Sequence, residues 1–324
     1  MGVIIDGCPA GIALSPHDFS DNLARRRSGA PGTTGRREMD TPQISSGVYR
    51  GRTTGAPIHI SFQNTDARSE DYTQLKGFPR PGHADLTTRQ KYGGFNDPRG
   101  GGHFSGRLTV GLVAAGTIAG KVIAPMVTVA ELIEAGGGED ISAEVKKAME
   151  NGDSIGGIVR CVVSSLPAGL GEPFFDSVES TIAHVIFSIP GVKAIEFGAG
   201  FRAACMAGTA HNDLIMNEAG LTETNNSGGI NGGITNGNDL TFRVCIKPTP
   251  SVSTSQKTFC SGTGKMEELK IPGRHDTCIA LRCPVIVEAA TAIALADLML
   301  CSRATIHRAI FPTDQQSLLP PSEG

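Results

Sequence analysis

Several familiar signatures are missing from this 324-residue sequence, and each absence removes a class of function. Charge of one sign is not in excess: 29 Lys and Arg stand against 32 Asp and Glu. No global field therefore draws the chain to nucleic acid or to an anionic membrane. Eight cysteines run from Cys8 to Cys301 without a C-x-x-C pair. Their closest spacing, Cys278 to Cys283, fits neither a zinc knuckle nor a dense disulfide framework, and they read as reduced cytosolic thiols. No G-x4-G-K-[ST] phosphate loop is present, which disfavours an ATPase. No apolar run reaches the ~20 residues of a membrane span. Lys121 stops the segment from Leu108 to Gly120, and Glu288 and Asp297 interrupt Pro284 to Leu300. The opening "MGVIIDGCPAG" lacks the basic leader and apolar region of a secretory signal, and Val3 to Asp6 reads as a strand.

What the chain does contain is a pair of Ala- and Gly-rich segments, the same two just named, that are apolar almost all round a helical wheel. That composition predicts helices enclosed in a core. It also contains echoes of itself. "VIIDGCPAGIALSPHDF" returns as "CVVSSLPAGLGEPFFDS" from Cys161, with Asp18 and Asp176 at the same offset from Pro-Ala-Gly. "SGVYRGRTT" from Ser46 and "SGGINGGIT" from Ser227 share S-G-x3-G-x2-T, and each leads into an extended run. A Gly-rich, His-containing loop then feeds each apolar helix. Three echoes in one order predict a single domain over residues 1–324, with halves of roughly 1–125 and 155–305. The fold class expected is α+β: a β-α-β sandwich with a helical layer between two antiparallel sheets and an internal pseudo-twofold repeat. Sites in such a protein form where loops of both halves meet. Ser15-Pro16 reads as a helix start, with Phe19 and Leu23 on its buried stripe.

Candidate chemistry collects in loops. Arg25, Arg26 and Arg27 end a predicted helix and Arg36 and Arg37 follow it. Converging planar guanidiniums point to a polyanionic small ligand, although cations at a helix C-terminus also simply complement its dipole. "RPGHADLTTRQKYGGFNDPRGGGHFSGR", Arg80 to Arg107, carries seven glycines, four arginines and two histidines and reads as loop throughout. Its glycines and the helix start near Ser105 make a plausible anion cradle. His83 suits proton transfer near neutral pH, while a metal role for His83, Asp85 and His103 is a minority reading. Gly273-Arg274-His275-Asp276 has the same character. Asn225 to Asn238 has the composition of a flexible surface loop, and Lys247-Pro248-Thr249-Pro250-Ser251 after it could hold a phosphate.

These motifs, "RRRSG", "TTGRRE", "RPGHADLTTRQKYG", "RGGGHFSGRLT", "NNSGGINGGITNGNDL", "KPTPSV" and "GRHD" in that order, resemble the chorismate synthase family from Val3 to about Ser302. The resemblance implies a cytoplasmic homotetramer that carries out a 1,4-elimination of phosphate from 5-enolpyruvylshikimate 3-phosphate, with reduced FMN as cofactor and NADPH as an indirect reductant. It implies catalytic roles for His83 and Asp276. Flavin contacts are implied at His103, Phe104, Ser105, Pro190, Gly191, Gly232, Lys247, Pro248, Thr249, Pro250, Ser251 and Arg274. Arg26, Arg80 and Arg107 would hold substrate anions, with Arg26 also aligned to an NADPH position. Neither metal, nucleic acid nor membrane is implied. Many members read R-S-S-A-R-E-T where this chain has His103 to Thr109, and the family's opening G-E-S-H-G motif is not in this chain. The second reading motivated by that difference is a flavin-binding remnant without full activity.

Overall fold

The computed structural model describes residues 1–36, 38–64, 77–97, 99–271 and 275–305. In chain order it contains β1 (Gly2–Ile5), α1 (Ser20–Arg26), β2 (Pro42–Ile44), β3 (Val48–Tyr49), β4 (Arg52–Thr53), β5 (Ile58–Phe62), α2 (Asp85–Lys91) and α3 (Thr109–Val122). There follow β6 (Val127–Ala135), α4 (Ile141–Glu150), β7 (Gly157–Ser164), α5 (Val178–Ile186), β8 (Val192–Phe197) and α6 (Gly208–His211). The last elements are β9 (Ile230–Asn231), β10 (Ile234–Thr235), β11 (Leu240–Ile246), β12 (Gln256–Cys260), β13 (Lys265–Leu269) and α7 (Cys283–Thr305).

Alternation decides the two main sheets. In β5, Ile58, Ile60 and Phe62 are buried while His59 and Ser61 face the other way. In β11, Leu240, Phe242, Val244 and Ile246 are buried in the same period of two. β5 is the central strand of an antiparallel sheet ordered β1-β5-β2, and β11 lies inside one ordered β6-β7-β11-β8. Between the sheets lie α3 and α7, packed on each other, with α3 against β1 and α7 against β6 and β7. The expected sandwich of helices between antiparallel sheets is therefore present. The small residues of α3 have a use here: a Cβ on Gly116 would sit 2.3 Å from the Cα of Ala289, so only glycine lets the two helix backbones approach this closely.

By length and composition, Ile279–Ser302 could cross a membrane. In this fold it is a core helix: Val287, Ala290, Thr291 and Leu295 are fully buried, and helices and a strand layer cover it on several sides. All eight cysteines are free thiols.

The Pro-Ala-Gly echoes adopt one local structure. The hydroxyl of Thr53 accepts from the Ile12 amide at 3.0 Å and donates to the Pro9 carbonyl at 2.7 Å. The hydroxyl of Thr235 accepts from the Leu170 amide at 2.9 Å and donates to the Pro167 carbonyl at 2.7 Å. Each threonine ends a two-strand hairpin, β3-β4 or β9-β10. Each hairpin turns on two residues with positive φ, Arg50 (48°) and Gly51 (72°) or Gly232 (60°) and Gly233 (86°), the conformation that matches strand twist in a tight hairpin. These contacts correct the alignment read from sequence by one residue, because Thr53 and not Thr54 is the counterpart of Thr235. The shared spacing favours the neighbouring threonine; the hydrogen bonds and the hairpin register distinguish the two.

Two further expectations change. The Arg80 to Arg107 run is not all loop, since α2 forms within it, with Asp85 in its first turn and Arg89 and Lys91 in its last. That charge order complements the helix dipole without any apolar period to announce it. Asn225 to Asn238 is not a floppy loop either: the Asp213 carboxylate accepts from the amides of Asn226 (2.7 Å) and Ser227 (2.9 Å), and Asn225 Oδ1 accepts from the Gly229 amide at 2.7 Å.

Candidate active site

A cleft of about 890 Å³ opens where loops from both ends of the chain converge. On one wall the end of α1 presents Arg26, which is 3% exposed and so no solvent-facing dipole complement. Its Nε donates to Thr109 Oγ1 (3.2 Å), Nη1 to Asp40 Oδ2 (3.1 Å) and Nη2 to the carbonyl of Arg107 (3.1 Å). Burial pushes the Arg26 guanidinium down to about 10; Asp40 opposes the shift, and Arg282 and Arg107 add to it. Asp40, also buried, adopts a positive φ of 53° and accepts from Arg107 Nη1 as well. One carboxylate thus lies between two guanidiniums. The remaining nitrogens of Arg107, Nε and Nη2, are buried without a hydrogen-bond partner, and Glu38 forms a longer ion pair with Nη2 at 3.7 Å.

A second cluster surrounds His83. Arg80 makes a bidentate fork onto Asp85, Nε to Oδ2 at 2.7 Å and Nη2 to Oδ1 at 2.8 Å, while its Nη1 donates to Ser251 Oγ at 3.1 Å. His83 Nδ1 lies 2.6 Å from Asp85 Oδ1, so that nitrogen carries the proton of this bond. Burial alone would raise the Asp85 carboxyl, but the hydrogen bonds from Arg80 and His83 hold it well below the usual carboxylate range. The imidazole is thereby oriented by a fixed anion. Lys247 Nζ donates to the Gly82 carbonyl at 2.5 Å and ties this loop to the strand end after β11. Burial, and then the charge of Lys193, lower the Lys247 ammonium below its ordinary value.

The third cluster stands before α7. Asp276, 8% exposed, accepts from the Thr34 amide at 2.9 Å through Oδ1 and from Arg282 Nη2 at 2.7 Å through Oδ2. Arg282 Nε is buried and unpartnered, as are Arg27 Nε and Thr249 Oγ1 on the same cleft. The unmatched groups here are donors, and buried donors without partners are costly unless a ligand supplies acceptors. A small molecule with several anionic groups fits that set.

Of the residues expected from the sequence, His83, Asp276, His103, Phe104, Ser105, Pro190, Gly191, Lys247, Pro248, Thr249, Pro250, Ser251, Arg26, Arg80 and Arg107 all line this cleft. Gly232 does not; it occupies the β9-β10 turn. Arg274 and Arg37 lie outside the described residues. Among the described residues no group of His, Cys, Asp and Glu is placed to hold a metal ion. Sequence reasoning missed Asp40, Arg282 and the orienting role of Asp85. Asp85 had a signal in H-x-D; Asp40 had none because Arg107, one of its two partners, is 67 residues away, and Arg282, though six residues from Asp276, stands in no motif that marks it.

Fold and cleft together define an α+β protein with an arginine-rich cleft where loops from both ends of the chain meet. Comparison with known proteins names the group. The family model described as chorismate synthase matches residues 1–300. A chorismate synthase of Chitinophaga pinensis is 58% identical over 301 residues, covering 93% of this chain and 91% of that protein. Those of Dehalococcoides mccartyi and Thermococcus kodakarensis are 44% and 41% identical, covering 93% and 94% of this chain and 91% and 93% of theirs. A crystal structure of chorismate synthase superposes with a TM-score of 0.71 at 25% identity, over 92% of this chain and 87% of that one. This chain belongs to the chorismate synthase family, a family of lyases.

Proposed function

We propose that the protein converts 5-enolpyruvylshikimate 3-phosphate to chorismate and phosphate by 1,4-elimination, with reduced FMN bound beside the substrate. The carrying observation is the row of buried, unpartnered donors, Arg107 Nε and Nη2 with Arg27 Nε, Arg282 Nε and Thr249 Oγ1, on one cleft. The substrate brings one phosphate and two carboxylates, and the cofactor another phosphate. In the reaction the C–O bond to phosphate breaks, the C6 proton leaves, and the C6–H electron pair becomes part of a new ring double bond. Electrons balance with no net oxidation. Reduced FMN, when bound, supplies an electron-rich ring that favours departure of a phosphate anion.

The chain's own residues do the rest. Asp276, oriented by Arg282 and the Thr34 amide, is the proposed acceptor for the C6 proton. His83, held by Asp85, is the proposed proton partner of the reduced flavin. Lys247 to Ser251, with Pro190 and Gly191, are proposed to cradle the flavin; the Lys247 amide bonded to the Gly191 carbonyl at 2.9 Å already joins these two segments. Arg107 is proposed to grip a substrate anion. Arg26 commits a bond from each of its nitrogens to protein, which supports a role in holding Arg107 in place. The proposal extends to NADPH as an indirect reductant, a cytoplasmic homotetramer and a single domain of two halves, on the strength of family membership and the repeated hairpin. Nothing in the fold or the relatives favours a flavin-binding remnant.

The test is an anaerobic assay with reduced FMN and the enolpyruvyl substrate. Release of phosphate and appearance of chorismate are expected. Binding of both molecules without phosphate release overturns the enzymatic reading.

A further inference from the structure

We propose that Arg282 is a substrate-binding residue, gripping one anionic group of the substrate while Arg107 grips another. The inference rests on the function proposed above and adds a residue to it.

Position comes first. α3 and α7, the two helices packed together at the centre of the fold, are each preceded by a short 3₁₀ turn, Gly106–Leu108 and Ile279–Arg282. Arg107 lies in the first and Arg282 in the second. The two arginines also share one pattern of bonding. Arg107 gives Nη1 to Asp40, and Arg282 gives Nη2 to Asp276; both acceptors are buried. Each then keeps its Nε buried with no partner, on the wall of one cleft.

The three arginines also stand close together. Arg26, Arg107 and Arg282 are near enough for the last two to disfavour the charge on Arg26. Asp40 and Asp276 accept their hydrogen bonds, and Glu38 forms a longer ion pair with Arg107 at 3.7 Å, so three cations face three carboxylates and what the cluster lacks is acceptors for its unbonded N–H groups. A guanidinium whose outer edge is bonded to an aspartate is held rigid, and its free Nε–H is pre-oriented for an acceptor. An arginine present only to anchor Asp276 has no need to bury an unmatched donor, which carries a desolvation cost. An acceptor atom on the ligand removes that cost, and a phosphate or carboxylate oxygen is the acceptor this chemistry prefers.

The experiment uses the full-length protein loaded with oxidised FMN, titrated calorimetrically with 5-enolpyruvylshikimate 3-phosphate. Flavin affinity is followed separately by absorbance. Arg282→Met is expected to weaken substrate binding by about tenfold to a hundredfold, with FMN affinity kept within about threefold. Arg282→Lys keeps the charge without the planar fork and is expected to recover only part of the loss. Should the Met variant fail to fold, the Lys variant decides by its substrate affinity. Substrate affinity equal to wild type in the folded variant, with only turnover reduced, makes Arg282 a mere anchor for Asp276 and overturns the proposal. A loss confined to FMN overturns it as well. Wild-type protein that binds no substrate removes the function proposed above, and this inference with it.

Discussion

The two Pro-Ala-Gly hairpins are built alike, yet the regions around them furnish the cleft differently. Thr53 and Thr235 bond the same backbone groups at nearly the same distances. The N-terminal region then brings guanidiniums to the cleft, Arg26, Arg80 and Arg107, each tied to a carboxylate. The C-terminal region brings a lysine, hydroxyls and proline-held backbone at Lys247 to Ser251, and the Arg282–Asp276 pair. Backbone hydrogen bonds are indifferent to most side chains, so a scaffold can recur while its sites diverge.

The largest effect expected from that contrast is on stability. Asp40→Ala leaves the buried guanidinium of Arg26 and the partly buried one of Arg107 without their shared carboxylate and should cost about 3–5 kcal/mol, read from urea denaturation. Asp276→Ala strands one arginine instead of two, and that one is less buried than Arg26, so it should cost clearly less. Equal losses would break the comparison between the two walls. On turnover the order reverses. Asp276→Ala and His83→Ala are each expected to slow phosphate release by about a hundredfold with FMN titration unchanged; a variant that loses flavin as it loses rate contradicts the assigned roles. The hairpins themselves can be compared directly: Thr53→Val and Thr235→Val each remove a hydroxyl that both donates and accepts. Each should cost about 1–3 kcal/mol, and thermal melts that differ widely would show the modules to be less alike than their hydrogen bonds. The smallest effect belongs to Thr249→Val. Its hydroxyl has no partner in the protein, so stability should not fall, while FMN binding should weaken about fivefold, or about 1 kcal/mol. Lower stability without weaker binding would refute a ligand-facing role.

Much of the architecture was legible beforehand. β5 and β11 alternate apolar and polar residues, and α3 and α7 are apolar all round because each is covered on several sides. The capped turn at Ser15 was also readable, since Asp18 bonds both the amide (2.7 Å) and the hydroxyl (3.0 Å) of Ser15 only three residues away. α2 was not readable, because nothing in its composition has a helical apolar period, and a link such as Arg89 Nη1 to Ser261 Oγ at 3.3 Å spans 172 residues. The register of the first hairpin was misread by one residue. The site was legible as an inventory of loops, while its wiring was not. Arg26 and the Arg107 carbonyl are 81 residues apart, and Asp276 and Thr34 are 242 apart.

By itself, then, the order of residues determined which segments are strands and buried helices, that loops rich in arginine and glycine recur at matching places, and which family the chain resembles. These are properties of local pattern, and local pattern is written along the chain. Tertiary structure alone decided that Asp40 stands between Arg26 and Arg107 and that the Arg282–Asp276 pair shares one cleft with them. Each of those facts is a close approach of charged groups under low solvent exposure. Such an approach depends on how sheets and helices stack, and no spacing in the sequence encodes it.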